Sequence, residues 1–190
     1  MQALCEPKAT HESHDGAPVG ELIRLYSQIA FLRRGPQDVP ASVLLLAVTV
    51  VGYFLINFAI YAALPALEGP WLPRLLLDVG FILVWYVLLL RLARRPERIL
   101  QTTTAVFGFR AFLSPIAVLS EWLAQRYQHD TFWQLPFSLI ALVLQVWVIA
   151  ANGHVVKAAL EWSGAASVAL VILQVLVEDL VLLSVFPVKS

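Results

Sequence analysis

Cysteine and charged residues are both scarce in this chain of 190 residues. The single cysteine, Cys5, has no partner in the chain, which excludes an intrachain disulfide and a metal site built from several cysteines. Charged residues make up 14% of the sequence against 59% hydrophobic residues, a balance outside the range of ordinary soluble domains. The formal net charge is zero and the arginines form no continuous patch, so we expect no nucleic-acid partner. The composition instead predicts that lipid surrounds most of the chain.

Five apolar runs are each long enough to cross a hydrocarbon core about 30 Å thick as a helix. Backbone in lipid must satisfy its own hydrogen bonds, and these runs lack the alternation of barrel strands, so the predicted fold class is all-α. We predict a polytopic membrane bundle of five transmembrane helices in residues 41–187, with spans at residues 42–64, 72–92, 102–123, 134–151 and 165–186. The third span contains Arg110, Pro115 and Glu121, and four spans remain if it only re-enters the membrane.

Two segments precede the first span. Residues 1–20 are polar with few bulky apolar side chains, and they predict a disordered cytoplasmic tail. The first long apolar stretch begins too late for a cleavable signal peptide, so we expect the first span to be retained. Residues 21–40 place several apolar side chains near one helical face, namely Leu22, Leu25, Ile29 and Leu32. This pattern predicts a short amphipathic surface helix next to the membrane, and docking of a partner on the apolar face is the alternative.

The distribution of basic residues predicts the orientation of the chain, because cytoplasmic loops of membrane proteins carry an excess of Lys and Arg. With a cytoplasmic N-terminus, nine basic residues lie on the inner side: Lys8, Arg24, Arg33, Arg34, Arg91, Arg94, Arg95, Arg98 and Lys157. Only Arg74, Arg126 and Lys189 then lie on the outer side. We therefore expect the C-terminus to be external, which requires an odd number of spans.

Seven charged or amide side chains are predicted to lie deep within the spans, where charged groups are rare and mark functional candidates. They are Asn57, Asp78, Arg110, Gln145, Gln174, Glu178 and Asp179. With a rise of about 1.5 Å per residue, they fall into two layers. The first layer contains Arg110, Gln145 and Gln174, and the remaining four residues form an acidic layer nearer the outer side. A long Arg110 side chain is expected to reach toward Glu178.

This intramembrane polar network admits two interpretations. Polar side chains commonly join transmembrane helices through modest hydrogen bonds, and Arg110 paired with Glu178 would serve that purpose. Alternatively, carboxylates that share a low-dielectric layer exchange protons near neutral pH and form a proton or cation site. Five spans provide no even internal duplication of the kind seen in many transporters. The network alone does not decide between structural contacts and transport.

Another group of side chains is predicted to line the cytoplasmic rim of the bundle. It consists of Arg33, Arg34, Arg94, Arg95, Arg98, His154 and Lys157. This rim supports our first functional hypothesis, a non-enzymatic scaffold or accessory subunit that binds a protein partner or forms a homo-oligomer in the lipid bilayer. The alternative is a small transporter or a proton- or cation-coupled component that uses the polar network. Ser163 and Ser167 are four residues apart and allow close helix packing, either within the chain or with a second copy.

No pattern in the sequence predicts catalysis, a metal site or a cofactor. His11 and His14 are three residues apart, whereas the helical zinc-protease motif places its two histidines four apart. His154 follows Asn152 and Gly153 and lacks a recognisable nucleophile or carboxylate partner in the sequence. We therefore predict no catalytic residues and no enzymatic activity.

The layout of five spans, together with the segment Trp147–His154 and the following residues from Ala158 to Ser167, resembles the Yip-domain family of small membrane proteins. By layout, the resemblance covers residues 20–187. Eukaryotic members of that family bind small GTPases and serve membrane traffic, while bacterial members share the fold. Ten arginines against three lysines favour a bacterial origin and an inner-membrane location. The resemblance assigns no functional residue in this chain.

Overall fold

A computed structural model describes residues 18–64, 70–130 and 132–186, and all regular structure in these ranges is helical. The described residues form six α-helices: α1 (Pro18–Ala30), α2 (Val43–Ala63), α3 (Trp71–Leu92), α4 (Ile99–Arg126), α5 (Gln134–Leu160) and α6 (Gly164–Val185). Two short 3-10 turns, Pro36–Asp38 and Pro96–Arg98, precede α2 and α4. Most of the predicted tail, residues 1–17, lies outside the described residues, and its last three residues begin α1.

Helices α2 to α6 are each long and apolar enough to cross a membrane, which confirms an all-α, multi-pass membrane protein. The predicted third span is among these helices, since α4 continues unbroken through Pro115 to Arg126 and is long enough to cross. The position of α4 inside the bundle explains why this span contains polar residues. About 56% of the most apolar part of this span is buried inside the protein, against 17–28% for the other four spans. The helix therefore faces protein more than lipid.

The two ends of the bundle differ in packing. At one end, which we call the arginine-rich end, α3 and α5 finish and α4 and α6 begin, and it carries Arg91–Arg98. Every residue from Thr102 to Phe109 is buried there, as are Val155, Val156 and Ala159 on α5. At the opposite end, which we call the tryptophan end after Trp71 and Trp133, the first half of α5 is mostly exposed to its surroundings. The helices are thus closely packed at one end only.

Helix α1 packs against the bundle instead of lying along an open surface. Leu25 and Ile29 of the predicted apolar face are buried, and the ring of Tyr26 lies against Gly108 of α4, where an added Cβ would overlap it. The indole Nε1 of Trp147 donates a hydrogen bond to the carbonyl of Ala30 over 3.0 Å. The predicted amphipathic helix is therefore present, but its face is covered by the chain's own helices and is not left for a partner.

Two sequence expectations about boundaries are wrong. The apolar pattern puts Leu32 on the face of the first helix, yet α1 ends at Ala30 and Leu32 adopts a left-handed backbone with φ 61°. Asn152 and Gly153 resemble the end of the fourth span, but α5 continues to Leu160. Gly153 instead permits close approach of α6, because a Cβ added there would lie only 3.0 Å from the side chain of Val168.

Of the small residues that open α6, those from 163 to 166 are exposed and Ser167 is buried. Ser163 caps α6 by accepting a hydrogen bond from the amide of Ala166. Ser167, four residues later, is fully buried and donates to the carbonyl of Ser163. Ser167 therefore packs within the chain, and packing of the exposed small residues against a second copy stays a prediction.

Candidate intramembrane binding site

Each transmembrane helix contributes a row of side chains to one internal cavity. On α2 the row contains Tyr53, Asn57 and Tyr61, which are four residues apart and therefore share one helical face. On α4, Arg110 and Ser114 follow the same spacing. These rows face inward because polar groups at membrane depth avoid lipid where a protein-lined space is available.

Three charged side chains converge at the wall of this cavity. Arg110 on α4 places Nη1 3.5 Å from Oδ1 of Asp78 on α3 and Nη2 3.9 Å from Oε2 of Glu178 on α6. The three side chains are only 12–19% exposed. The hydroxyl of Tyr53 donates a 2.8 Å hydrogen bond to the second carboxylate oxygen of Asp78. Helices α2, α3, α4 and α6 therefore meet around one guanidinium group.

The formal charges of this cluster do not balance. Two carboxylates and one guanidinium leave one negative charge when both acids are ionised, and an unbalanced charge is strongly unfavourable at low dielectric. A bound proton or a bound cation would restore neutrality. The contacts of Arg110 with the two carboxylates are also long. Charge-assisted hydrogen bonds between nitrogen and oxygen usually measure about 2.7–2.9 Å. The Arg110 Nε is buried and has no hydrogen-bond partner among the described residues.

The cavity has a volume of about 920 Å³. Its deep wall includes Asn152 and Arg110, near the middle of the bundle, and its lining continues to Arg126, Gln128 and His129 at the tryptophan end. Those last three residues are exposed, so the cavity opens at the tryptophan end. Four aromatic side chains line the walls in between: Tyr53, Tyr61, Trp71 and Trp122. Tyr61 and Trp71 stack with ring centroids 6.0 Å apart and 16° between their planes.

A second, fully buried polar cluster joins α3, α5 and α6. The hydroxyl of Tyr86 lies 2.6 Å from Oδ1 of Asn152 and 3.0 Å from Oε1 of Gln174. One hydroxyl hydrogen serves only one of these acceptors, and the Gln174 Nε2 is buried without a partner in the described part of the chain. Rotating the Gln174 amide by 180° gives Tyr86 one acceptor and one donor, so we assign that orientation. This cluster lies on the closed side of the cavity, where Asn152 also lines its wall.

At the arginine-rich end, Glu161 connects the loop after α3 to the end of α5. Its carboxylate accepts hydrogen bonds from Arg98 and from Arg95, the latter over 2.8 Å. Arg98 also donates to the carbonyls of Ala158 and Ala159, which lie in the last turn of α5 and lack helical partners. The hydrogen bonds from Arg98 and Arg95 lower the pKa of Glu161 below its usual value.

The structure places the predicted network residues in three kinds of environment. Asp78, Arg110 and Glu178 form the charged cluster, so the two layers estimated from depth meet through the long Arg110 side chain. The expected approach of Arg110 to Glu178 is present. Gln174, which depth alone groups with Arg110 and Gln145, instead contacts Tyr86. The three other residues line the cavity: Asn57, which is buried, and Gln145 and Asp179, which are exposed.

The predicted rim residues also differ in their surroundings. Arg95 and Arg98 are engaged with Glu161, whereas the exposed ones are Arg33, Arg34, Arg94 and Lys157. The sequence predicts His154 in a loop after the fourth span, but it lies within α5 and is half-buried. No group of three or more His, Cys, Asp or Glu residues suited to a metal ion occurs among the described residues.

Sequence reasoning missed Tyr53, Tyr86 and Asn152. A tyrosine in an apolar run resembles one more apolar aromatic residue. A buried phenolic hydroxyl, however, normally requires a hydrogen-bond partner. The signal that finds them is their spacing from known polar residues, because Tyr53 precedes Asn57 by four residues and Tyr86 follows Asp78 by eight. No protein-family model, no curated protein and no solved structure matches the chain.

Proposed function

We propose that the protein is a small transporter or a proton- or cation-coupled membrane component, and that its solute binds in the cavity between α2 and α6. The observation that carries this proposal is the convergence of Asp78, Arg110 and Glu178 at the wall of a cavity of about 920 Å³. Intramembrane ionisable groups that face a cavity typically mark ion or substrate paths. The volume also falls within the range of about 300–1,000 Å³ that is usual for small-molecule sites.

The geometry favours this proposal over a purely structural role for the network. Side chains that only join helices are expected to be close-packed with short hydrogen bonds, because burial in lipid leaves no other partner. Here the Arg110 contacts measure 3.5 and 3.9 Å, and an open cavity lies beside them. A scaffold needs no such cavity in the membrane interior.

The scaffold hypothesis remains the second candidate, supported by the exposed rim arginines and lysine. Two of the predicted rim arginines, Arg95 and Arg98, are engaged within the chain, which reduces the charge left for a partner. Binding of a protein partner or of a second copy, and the Yip-domain resemblance with its trafficking role, stay predictions from the sequence.

We further propose that the arginine-rich end faces the cytoplasm of a bacterium, in line with the excess of basic residues in loops on that side. The N-terminus is then cytoplasmic and the C-terminus external, and the protein lies in the inner membrane. In this orientation the cavity opens to the outside, and the close-packed region from Thr102 to Phe109 separates it from the cytoplasm.

Cysteine accessibility tests the proposed cavity. In a Cys5→Ser background, Ala117→Cys places a thiol on the cavity wall, and Leu119→Cys places one on the exposed apolar face of the same helix. A membrane-impermeant thiol reagent added outside intact cells should label Ala117→Cys and spare Leu119→Cys, because thiols in lipid do not ionise. If Ala117→Cys stays unlabelled from either side in membrane vesicles, the cavity holds no water and the proposal is wrong.

A further inference from the structure

The charges of the cavity are segregated along its length. Four carboxylates line the wall: those of Asp78 and Glu178 are 19% and 12% exposed, whereas Glu121 and Asp179 are exposed residues. Arg110 is the arginine beside Asp78 and Glu178, and the other arginines of the lining, Arg74 and Arg126, belong to helix turns at the tryptophan end. The charged cluster in the deep part of the cavity therefore has a formal charge of −1 when both acids are ionised, and a potential of this sign attracts cations.

The side-chain amide of Asn57, one helical turn from Tyr53, offers an acceptor to the cavity. Asn57 is only 3% exposed and lines the cavity, and its Nδ2 donates to the carbonyl of Tyr53. Its Oδ1 accepts no hydrogen bond from the described residues. An amide oxygen accepts hydrogen bonds, so a ligand with N–H donors would find a partner there.

The apolar part of the lining includes four aromatic side chains beside aliphatic ones such as Leu113 and Val171. The stacked pair of Tyr61 and Trp71 forms a flat wall, and Tyr53 stands deeper, beside Asp78. Aromatic faces attract organic cations through their negative quadrupole and also bury an apolar body. A bare metal ion instead needs several oxygen ligands in a tight shell, and none of the described residues form such a group.

We propose that the ligand of this cavity is an organic ammonium ion with N–H donors and an apolar body. Its ammonium group lies between Asp78, Glu178 and the Asn57 Oδ1, and its apolar part lies against the wall of Tyr61 and Trp71. Binding balances the negative charge that Arg110 leaves uncompensated. This inference rests on the proposed function, because it needs the cavity to be open to water.

The test measures the charge preference of the cavity with Ala117→Cys in the Cys5→Ser background. Two thiosulfonate reagents of similar size, one with a trimethylammonium group and one with a sulfonate group, are compared after normalising each rate to a small free thiol. We expect the cationic reagent to react on the order of tenfold faster or more, since a potential of a few kT acts on the two reagents in opposite directions. Asp78→Asn with Glu178→Gln should bring the ratio toward one, and Glu97→Gln, which lies outside the cavity, should leave it unchanged.

A protection experiment then identifies the kind of cation. Phenethylammonium at millimolar concentration should slow labelling severalfold, whereas its neutral analogue 2-phenylethanol and an equal concentration of sodium should not. A preference for the sulfonate reagent overturns the inference, and so does equal protection by sodium or by the neutral alcohol. Absence of protection by every cation also overturns it. Labelling that occurs without these preferences refutes only the ligand class, whereas no labelling at all refutes the proposed function itself.

Discussion

The hydroxyl of Tyr53 on α2 donates a hydrogen bond to Asp78 on α3 over 2.8 Å, next to the guanidinium of Arg110. Tyr53 is buried, with 7% of its surface exposed. The contact joins two helices that have few other polar contacts with each other, and it holds one carboxylate oxygen of Asp78 while the other faces Arg110. The position of Asp78 in the cavity wall therefore depends on a tyrosine.

Tyr53→Phe should lower the free energy of unfolding by about 1–2 kcal/mol, because it removes a donor from a buried carboxylate and leaves the ring packing intact. The measurement is denaturant-induced unfolding in mixed micelles, followed by circular dichroism. Tyr61→Phe is the matched control, since its hydroxyl makes no hydrogen bond in the described residues, and it should change stability by less than about 0.5 kcal/mol. Equal effects of the two substitutions would show that the bond to Asp78 contributes nothing.

Gly108→Ala should destabilise the protein by about 1–3 kcal/mol, because the added Cβ overlaps the ring of Tyr26 and forces α1 away from α4. Gly52→Ala on α2 is the control. Nothing lies within 4 Å of its Cβ position, and alanine is favoured over glycine in a helix by roughly 0.5–1 kcal/mol. The two substitutions should therefore shift the melting temperature in opposite directions.

Combining Gly108→Ala with Tyr26→Ala isolates the contact itself. The penalty of Gly108→Ala should largely disappear when the Tyr26 ring is already absent, and a double-mutant cycle measures that coupling. If Gly108→Ala behaves like Gly52→Ala in the wild-type background, α1 does not dock on α4 as described.

Helix boundaries were predictable from the sequence where the segments between spans contain helix-breaking residues. Proline and glycine between the first two spans placed the end of α2 and the start of α3 within one residue. The end of α5 was missed by nine residues, because Asn152 and Gly153 resemble a helix stop. Both residues make contacts with other helices: Asn152 forms a hydrogen bond with Tyr86, and Gly153 leaves space for the side chain of Val168. A single sequence does not contain that information.

The candidate site was partly predictable for a similar reason. Charged residues are conspicuous in an apolar run. Their estimated depth along each span predicted that Arg110 lies near Glu178, as it does. Depth does not give the rotation of a helix or its neighbours, so the contact of Gln174 with Tyr86 and the presence of a cavity could not be derived. The docking of α1 was hidden as well, because an amphipathic face suits a lipid surface and a protein groove equally.

The ion pairs of Glu161 predict a pH dependence of stability at the arginine-rich end. Hydrogen bonds from Arg98 and Arg95 lower the pKa of Glu161 in the folded state, so the folded state favours the ionised carboxylate. The resulting stabilisation is fully present above the unfolded-state pKa, about 4.3, and is lost as the pH falls through the lower folded value. Wild type should therefore lose stability on acidification relative to Glu161→Gln.

Melting temperatures of both proteins between pH 7 and pH 3 measure this effect. The difference between wild type and Glu161→Gln should shrink as the pH falls. Glu97→Gln is the control, because Glu97 lies in the adjacent turn and makes no ion pair in the described residues, so its difference from wild type should not depend on pH in this way. Parallel curves for wild type and Glu161→Gln would contradict the assignment.

Arg110 is predicted to be the most sensitive member of the charged cluster. Arg110→Gln leaves Asp78 and Glu178 without a counter-charge at low dielectric, and loss of one partner from a buried ion pair typically costs about 3–5 kcal/mol. Asp78→Asn alone leaves one carboxylate for one guanidinium and should be milder. The triple variant with Arg110→Gln, Asp78→Asn and Glu178→Gln contains no charge in the cluster and should recover much of the stability. Unfolding free energies of these three variants at pH 7 measure the predicted order of stability.

The triple variant also separates stability from function. If the cluster serves only to join helices, restoring neutrality should restore every property of the protein. If it binds a cation, stability returns in the triple variant while phenethylammonium no longer protects Ala117→Cys from labelling. Recovery of both stability and protection would contradict a binding role for Asp78 and Glu178. Failure of the triple variant to recover any stability would show that the three side chains do not act as one electrostatic unit, because their charges would then contribute independently.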